Sequence, residues 1–175
     1  MRHVLLLSML SAAALTIAVS ARAQSPAVPE KLPFDIPYGQ PISLADANKV
    51  LIAAEAEAKR RQWSYAIAVV DLAGDLVSFV KMDETQLASG ELAQRKASTS
   101  ARFRRATKVF QDTVSGGNAT PLSLPGVLAA EGGLPLVMNG KLIGAIGASG
   151  GNGAQDGEIA QAGAAALEAG SKAAH

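Results

Sequence analysis

The chain has 175 residues, with 16 Lys+Arg against 15 Asp+Glu, a formal net charge of +1 and no cysteine. This balance excludes a strongly basic nucleic-acid binder, and the missing cysteine excludes disulfides, thiolate metal sites and thiol catalysis. Imidazole is scarce as well: His3 and His175 stand at the two ends, which leaves general-base or metal chemistry of that kind little to work with.

Arg2 and His3 precede an apolar run from Val4 to Val19, followed by Ala21-Arg22-Ala23. A charged start, an apolar stretch of this length and an A-x-A site predict a secretory signal peptide over residues 1–23. Ser8, Ser11 and Thr16 interrupt the run, which falls short of the roughly 18 to 20 apolar residues of a membrane span. Cleavage after Ala23 would leave 152 of the 175 residues and lower Lys+Arg from 16 to 14, for a net charge of about −1. The product would be exported, either periplasmic or secreted. Residues 24–41 carry Pro26, Pro29, Pro33, Pro37 and Pro41, a spacing that blocks helices and ladders and predicts an extended arm. Phe34, Ile36 and Tyr38 make its second half apolar enough to lie along the domain or along a neighbouring subunit.

Residues 42–172 form the domain proper. Ser43 caps a helix that carries Leu44, Ala47, Val50, Leu51 and Ala54 on one face and ends near Arg61. A strand over 64–71, a Gly/Asp turn and a strand over Leu76–Met82 form a hairpin. Ser89 is an N-cap candidate for a helix running to about Ala106, and a short helical piece follows at Lys108–Val114. The Gly, Ser and Pro content of 115–126 predicts a loop. Strands are expected at Val127–Ala130 and Leu134–Met138. Asn139-Gly140 then turns the chain into a strand over Lys141–Ala148, and a last helix covers about Ala154 to Ala169. Hairpins dominate, so the fold class is α+β: an antiparallel five-stranded sheet flanked by helices.

Gly147-Ala148-Ser149-Gly150-Gly151 fits the G-x-S-x-G pattern of a nucleophile elbow, and Ser149, Asp156 and His175 follow in Ser…Asp…His order. A helix between Asp156 and Ala169 would separate the last two by roughly 20 Å, far beyond the reach of a relay, and the sheet is antiparallel. A serine hydrolase is therefore disfavoured. Two readings of the turn stay open. The N–H groups of Gly150 and Gly151 can hold a carboxylate or phosphate ahead of the helix, or these glycines serve only the turn and close packing. Ala160, Gly163, Ala164, Leu167 and Gly170 recur at helical spacing, and this almost wholly small face suits either core packing or a subunit interface. In the middle helix Arg95, Thr99 and Arg102 share a face, with Lys96, Arg105 and Lys108 nearby. This is either a solvated basic face or a seat for an anionic group such as a propionate; Phe103 is expected in the core. Asp71, Asp83, Glu131 and Asp156 are scattered acids that define no catalytic centre.

The run GGLPLVMNGKLIGAIGASGGNGAQDGEIAQAG (132–163) closely resembles the GlcG/HbpS-like haem-binding family. SLADANKVLIAAEAEAKR is similar to that family's opening helix, AIAVVDLAGDLVSFVKMD to its first hairpin and KASTSARFRRAT to its middle helix. The resemblance covers about residues 42–170 and extends to the C-terminal domain of PduO-type corrinoid adenosyltransferases. It implies a profilin-like sandwich that forms homo-oligomers, and haem as the cofactor. It also implies contacts through the middle helix, with Thr99 as an oxygen ligand to the metal and Lys96 and Arg102 as propionate partners. Met82-Asp83-Glu84-Thr85 departs from the family's usual Gly-Ala after Met-Asp, and Arg105-Ala106-Thr107 lacks a common proline. The usual protein ligands of haem iron are His, Cys, Met and Tyr, here Met82, Met138, Tyr38 and Tyr65 besides His175. The expected function is an exported haem- or tetrapyrrole-binding accessory protein. The alternatives are an enzyme of haem breakdown or organic-acid metabolism and an interaction module for an envelope sensor.

Overall fold

Apolar residues alternating with the strand period and small residues recurring with the helix period sort the chain into three layers. A computed structural model describes residues 28–32 and 34–172, except for the side chains of 168–172. The signal-peptide segment, the first residues of the arm and His175 lie outside the described residues. The chain divides into Met1–Lys31 and Leu32–His175. The second unit carries all the described elements: α1 (Leu44–Arg60), β1 (Ala66–Val70), β2 (Leu76–Lys81), α2 (Ser89–Phe103), α3 (Lys108–Ser115), a 3-10 turn (Thr120–Ser123), β3 (Gly133–Met138), β4 (Lys141–Ser149) and α4 (Gly153–Lys172).

The sheet is antiparallel in the order β2-β1-β4-β3, so two hairpins join through their β1 and β4 strands. In β1 the alternation of side chains splits the core. Tyr65, just ahead of the strand, points with Ile67 and Val69 to the face covered by α1 and α4; Ala66, Ala68 and Val70 meet Ala93, Ala97 and Ala101 of α2. The α2 face has room only for small residues. A Cβ on Gly147 would lie 2.0 Å from the Ala93 carbonyl oxygen and 2.6 Å from the Ala97 nitrogen. Glycine in this part of the GASGG sequence thus lets helix backbone rest on sheet backbone.

Local chemistry sets the ends of the elements. Ser43 Oγ accepts from the Asp46 N–H at 3.1 Å and caps α1. Asn139 and Gly140, at φ 51° and 73°, make the tight β3–β4 turn. Ser89 is the first residue of α2, buried and without a capping bond, so it does not play the N-cap role its sequence position suggested. The helix stops at Phe103, short of Ala106, because Arg104 enters the left-handed region at φ 53°, ψ 38°.

The sheet has four strands, not five. Val127–Ala130 forms no strand, because a side chain satisfies part of its backbone: Leu128 N–H donates to Thr99 Oγ1 at 3.0 Å, and Thr99 Oγ1 donates to the Gly126 carbonyl at 3.0 Å. The small face of α4 packs inward. Ala160 and Leu167 belong to the α1/α4 core, and a Cβ on Gly163 would meet Ile146 Cδ1 at 2.5 Å.

The arm residues from Phe34 onward run along the domain. Leu142 N–H donates to the Pro37 carbonyl at 2.8 Å and Gly39 N–H donates to the Leu142 carbonyl at 2.7 Å, giving Tyr38 a parallel bridge to Leu142. The β1 ladder on β4 reaches only Ala145, and the arm takes up backbone groups of β4 beyond it.

Candidate functional site

Two clusters of polar chemistry lie along α2, one at its middle and one at its C-terminal end. The first is buried. Lys96 and Asp156 are 4% and 3% exposed and form an ion pair. Lys96 Nζ also donates to the Ala148 carbonyl at 3.2 Å. Asp156 Oδ1 accepts from the N–H groups of Gly150 and Gly151 at 3.1 and 3.0 Å. The turn into α4 therefore does face a carboxylate, and it is the chain's own. Tyr65 lies beneath the turn, fully buried, its hydroxyl without a hydrogen-bond partner. Burial, and after it the negative charge of Asp156, push its pKa well above the ordinary tyrosine value. Ser149 ends β4, buried beside this pair, with no imidazole among the described residues to activate it.

The second cluster opens at the C-terminal end of α2. The left-handed Arg104 folds the chain back, and Ser100 secures the turn: its Oγ donates to the Arg105 carbonyl at 2.9 Å, and Arg105 N–H donates to the Ser100 carbonyl at 3.3 Å. Around this turn is a cleft of about 320 Å³. Its aromatic walls are Phe34 and Tyr38 from the arm with Phe103 and Phe110 from the domain; Arg102, Arg104 and Arg105 line it with them. Phe103 and Phe110 meet edge to face at 5.4 Å. Phe103 is thus a half-buried wall of the cleft and not a core residue.

Guanidinium groups cover the rings. Arg105 lies 4.5 Å from the centroid of Phe34 and 5.3 Å from that of Phe110. Arg104 lies 4.9 Å from Tyr38 and 5.5 Å from Phe34, and donates through Nη1 to the Ile36 carbonyl at 3.0 Å. None of the three arginines has a carboxylate partner among the described residues. Burial, followed by the neighbouring charge of Arg104, lowers the Arg105 pKa from the ordinary arginine value. An anion entering the cleft would relieve that crowding of like charge.

The residues singled out from the sequence therefore separate. Arg102 and Arg105 come together in the cleft, joined by Arg104. Lys96 points the other way into its buried pair, and Gly150 and Gly151 bind Asp156 alongside it. Thr99 is fully buried, its hydroxyl engaged with Gly126 and Leu128. Arg95 faces Glu91 at 3.8 Å, and Lys108 pairs with Asp112 at 2.8 Å. The four acids do not converge. Asp71 closes the β1–β2 turn by accepting from the N–H groups of Ala73 and Asp75, Asp83 is exposed, and Glu131 stands 3.9 Å from Lys108. Among the described residues no group of three or more His, Cys, Asp or Glu could hold a metal ion. Nor is any described helix long and apolar enough to cross a membrane.

Fold and cleft together define a small α+β domain with an aromatic, cation-lined pocket between a helix end and an N-terminal arm. The chain belongs to the family described as haem degrading protein HbpS-like, whose model matches residues 42–165. It is 39% identical over 103 residues to protein GlcG of Escherichia coli strain K12, covering 59% of this chain and 77% of that one. A solved PduOC:Heme complex is similar in structure, with a TM-score of 0.66 and 32% identity over 73% of this chain and 95% of the other. A double mutant of HbpS from Streptomyces reticuli matches with a TM-score of 0.68 and 28% identity, over 84% and 98%.

Proposed function

We propose that this protein binds haem, or a closely related tetrapyrrole, in the cleft formed by the end of α2, the arm and α3. The observation that carries the proposal is the convergence of three arginines, none with a carboxylate partner among the described residues, on four aromatic rings. A porphyrin presents a flat apolar face and two carboxylates. Aromatic walls suit the first and guanidinium forks the second. A relative solved as a haem complex and a family description that names haem support the same ligand.

Each part of the site has a task. Phe34, Phe103 and Phe110 exclude water from the macrocycle face. Arg102, exposed at the end of α2, and the partly buried Arg105 bind the propionates. Arg104 ties the arm to the domain through Ile36, so that the second wall stays in place. Bound haem would supply a redox-active iron.

We also propose that the protein is exported, on the strength of the N-terminal apolar run and A-x-A site, and that it works as a homo-oligomeric accessory. Leu76 and Phe79, half-exposed on the outer strand β2, support self-association. Haemin titrated into the purified protein should give a saturable Soret shift, weakened in Arg102→Ala and Arg105→Ala. A titration that stays flat at micromolar haemin refutes the reading. Light scattering reports the oligomer, and N-terminal sequencing of protein recovered from the envelope or medium should begin at Gln24. The family description favours one second reading, haem breakdown. Peroxide would then bleach the bound Soret band faster than that of free haemin and release iron.

A further inference from the structure

We infer that Tyr38 is this chain's own ligand to the iron of a haem held in the cleft, an inference that rests on the haem reading above. The step is a ligand exchange: the bond between ferric iron and the water bound to it in free haemin breaks, a bond forms between the iron and the phenolate oxygen, and the released water and the phenol proton pass to solvent. No electron moves. Tyr38 is 55% exposed, so the proton has an open route.

The choice of residue follows from what the structure puts within reach. The protein ligands suited to haem iron are His, Cys, Met and Tyr. The chain has no cysteine, and the choice is among the described residues, which include no histidine. Tyr65 is sealed under the turn into α4. Met82 and Met138 pack against the α1/α4 core, Met138 with one side on a neighbouring depression. Among the cleft-lining residues, Tyr38 alone carries a donor of this kind; the others are phenylalanines, a leucine and arginines.

The surroundings of Tyr38 also suit a phenolate. Its backbone is clamped on both sides by the bonds that Pro37 and Gly39 make to Leu142. Arg104 lies 4.9 Å from its ring centroid and is itself fixed to the Ile36 carbonyl. A cation on the ring face stabilises an electron-rich ring. The charges are complementary as well: the ferric porphyrin core, two propionates and one phenolate sum to two negative charges, against the three positive charges of the arginines that line the cleft.

The test uses the full-length protein with haemin, read by visible absorption, electron paramagnetic resonance and resonance Raman. Wild type should show high-spin ferric haem with a phenolate-to-iron charge-transfer band, and excitation into that band should enhance tyrosinate ring modes. Tyr38→Phe should lose the band and the modes and bind haemin at least about tenfold more weakly, since even residues that only orient ligands are worth about 10- to 100-fold in metal affinity. Tyr38→His should restore affinity with an imidazole-type spectrum, and circular dichroism checks the fold of each variant. If Tyr38→Phe fails to fold, Tyr38→His decides: a spectrum unchanged from wild type overturns the inference. A wild-type spectrum in folded Tyr38→Phe overturns it too and leaves haem binding intact. A flat wild-type titration removes the haem reading itself, and this inference with it.

Discussion

Asp156→Ala tests the buried pair at the middle of α2 most severely. The substitution removes the partner of a lysine that is 4% exposed and the acceptor of two backbone N–H groups, at Gly150 and Gly151. An uncompensated buried charge costs about 3–5 kcal/mol. For a domain of this size about 1 kcal/mol moves the melting temperature by about 2–4 °C, so the variant should melt on the order of 10 °C below wild type. Urea denaturation should show the same loss as a lower midpoint at unchanged slope. The cycle with Lys96→Met isolates the pair. The double variant Lys96→Met/Asp156→Ala removes both charges and should recover much of the stability, because replacing a whole buried pair by apolar residues is often close to neutral. A loss of under about 1 kcal/mol for Asp156→Ala, against the roughly 3–5 kcal/mol expected of an orphaned buried charge, would refute the assignment. Strict additivity across the cycle would do the same.

Gly147→Ala should be among the most damaging one-carbon changes in the chain. Its Cβ would overlap the α2 backbone at Ala93 and Ala97, and overpacking of a tight core costs about 1–3 kcal/mol, measurable as a urea midpoint shift. Arg104→Gly separates stability from binding. Relief of a left-handed arginine, about 1–2 kcal/mol, roughly offsets the added chain entropy and the lost bond to Ile36. The melting temperature should therefore hardly move while haemin affinity falls. Tyr65 gives a pH signature. Its folded-state pKa is raised above the ordinary 10.0, so the stability it contributes is complete below that value and lost as pH rises toward the folded one. In ultraviolet titration, the absorbance step missing from Tyr65→Phe should coincide with alkaline loss of circular dichroism. A separate earlier step would contradict the burial.

Much of this architecture could be read from local pattern. The Ser43 cap, the Asn139-Gly140 turn and the buried face of Ala47, Val50, Leu51 and Ala54 in α1 act within a few positions of themselves and appear where expected, whereas Leu44, assigned to that face, is exposed. What escaped depends on distant partners. Val127–Ala130 has the composition of a strand, but Thr99, nearly thirty residues earlier, captures its backbone. Lys96 has the residue type of a surface, and its burial becomes tolerable only because Asp156 approaches from another element. The anion preference of Gly150 and Gly151 was legible; the donor of that anion was not. Arg102 and Arg105 stood out by charge, whereas Arg104 gains its role from a backbone turn that nothing in a row of three helix-compatible residues announces.

The alanine and glycine contacts under α2 bear on how a ligand would enter. With helix backbone seated on sheet backbone, that wall has no soft side chains to yield, so the helix end bearing Arg102 to Arg105 acts as an anvil. The opposite wall is a short strap held by a few backbone bonds and one guanidinium. Exchange kinetics should then follow the strap. Tightening its hold on β4 would slow entry and exit together, and loosening it would speed both.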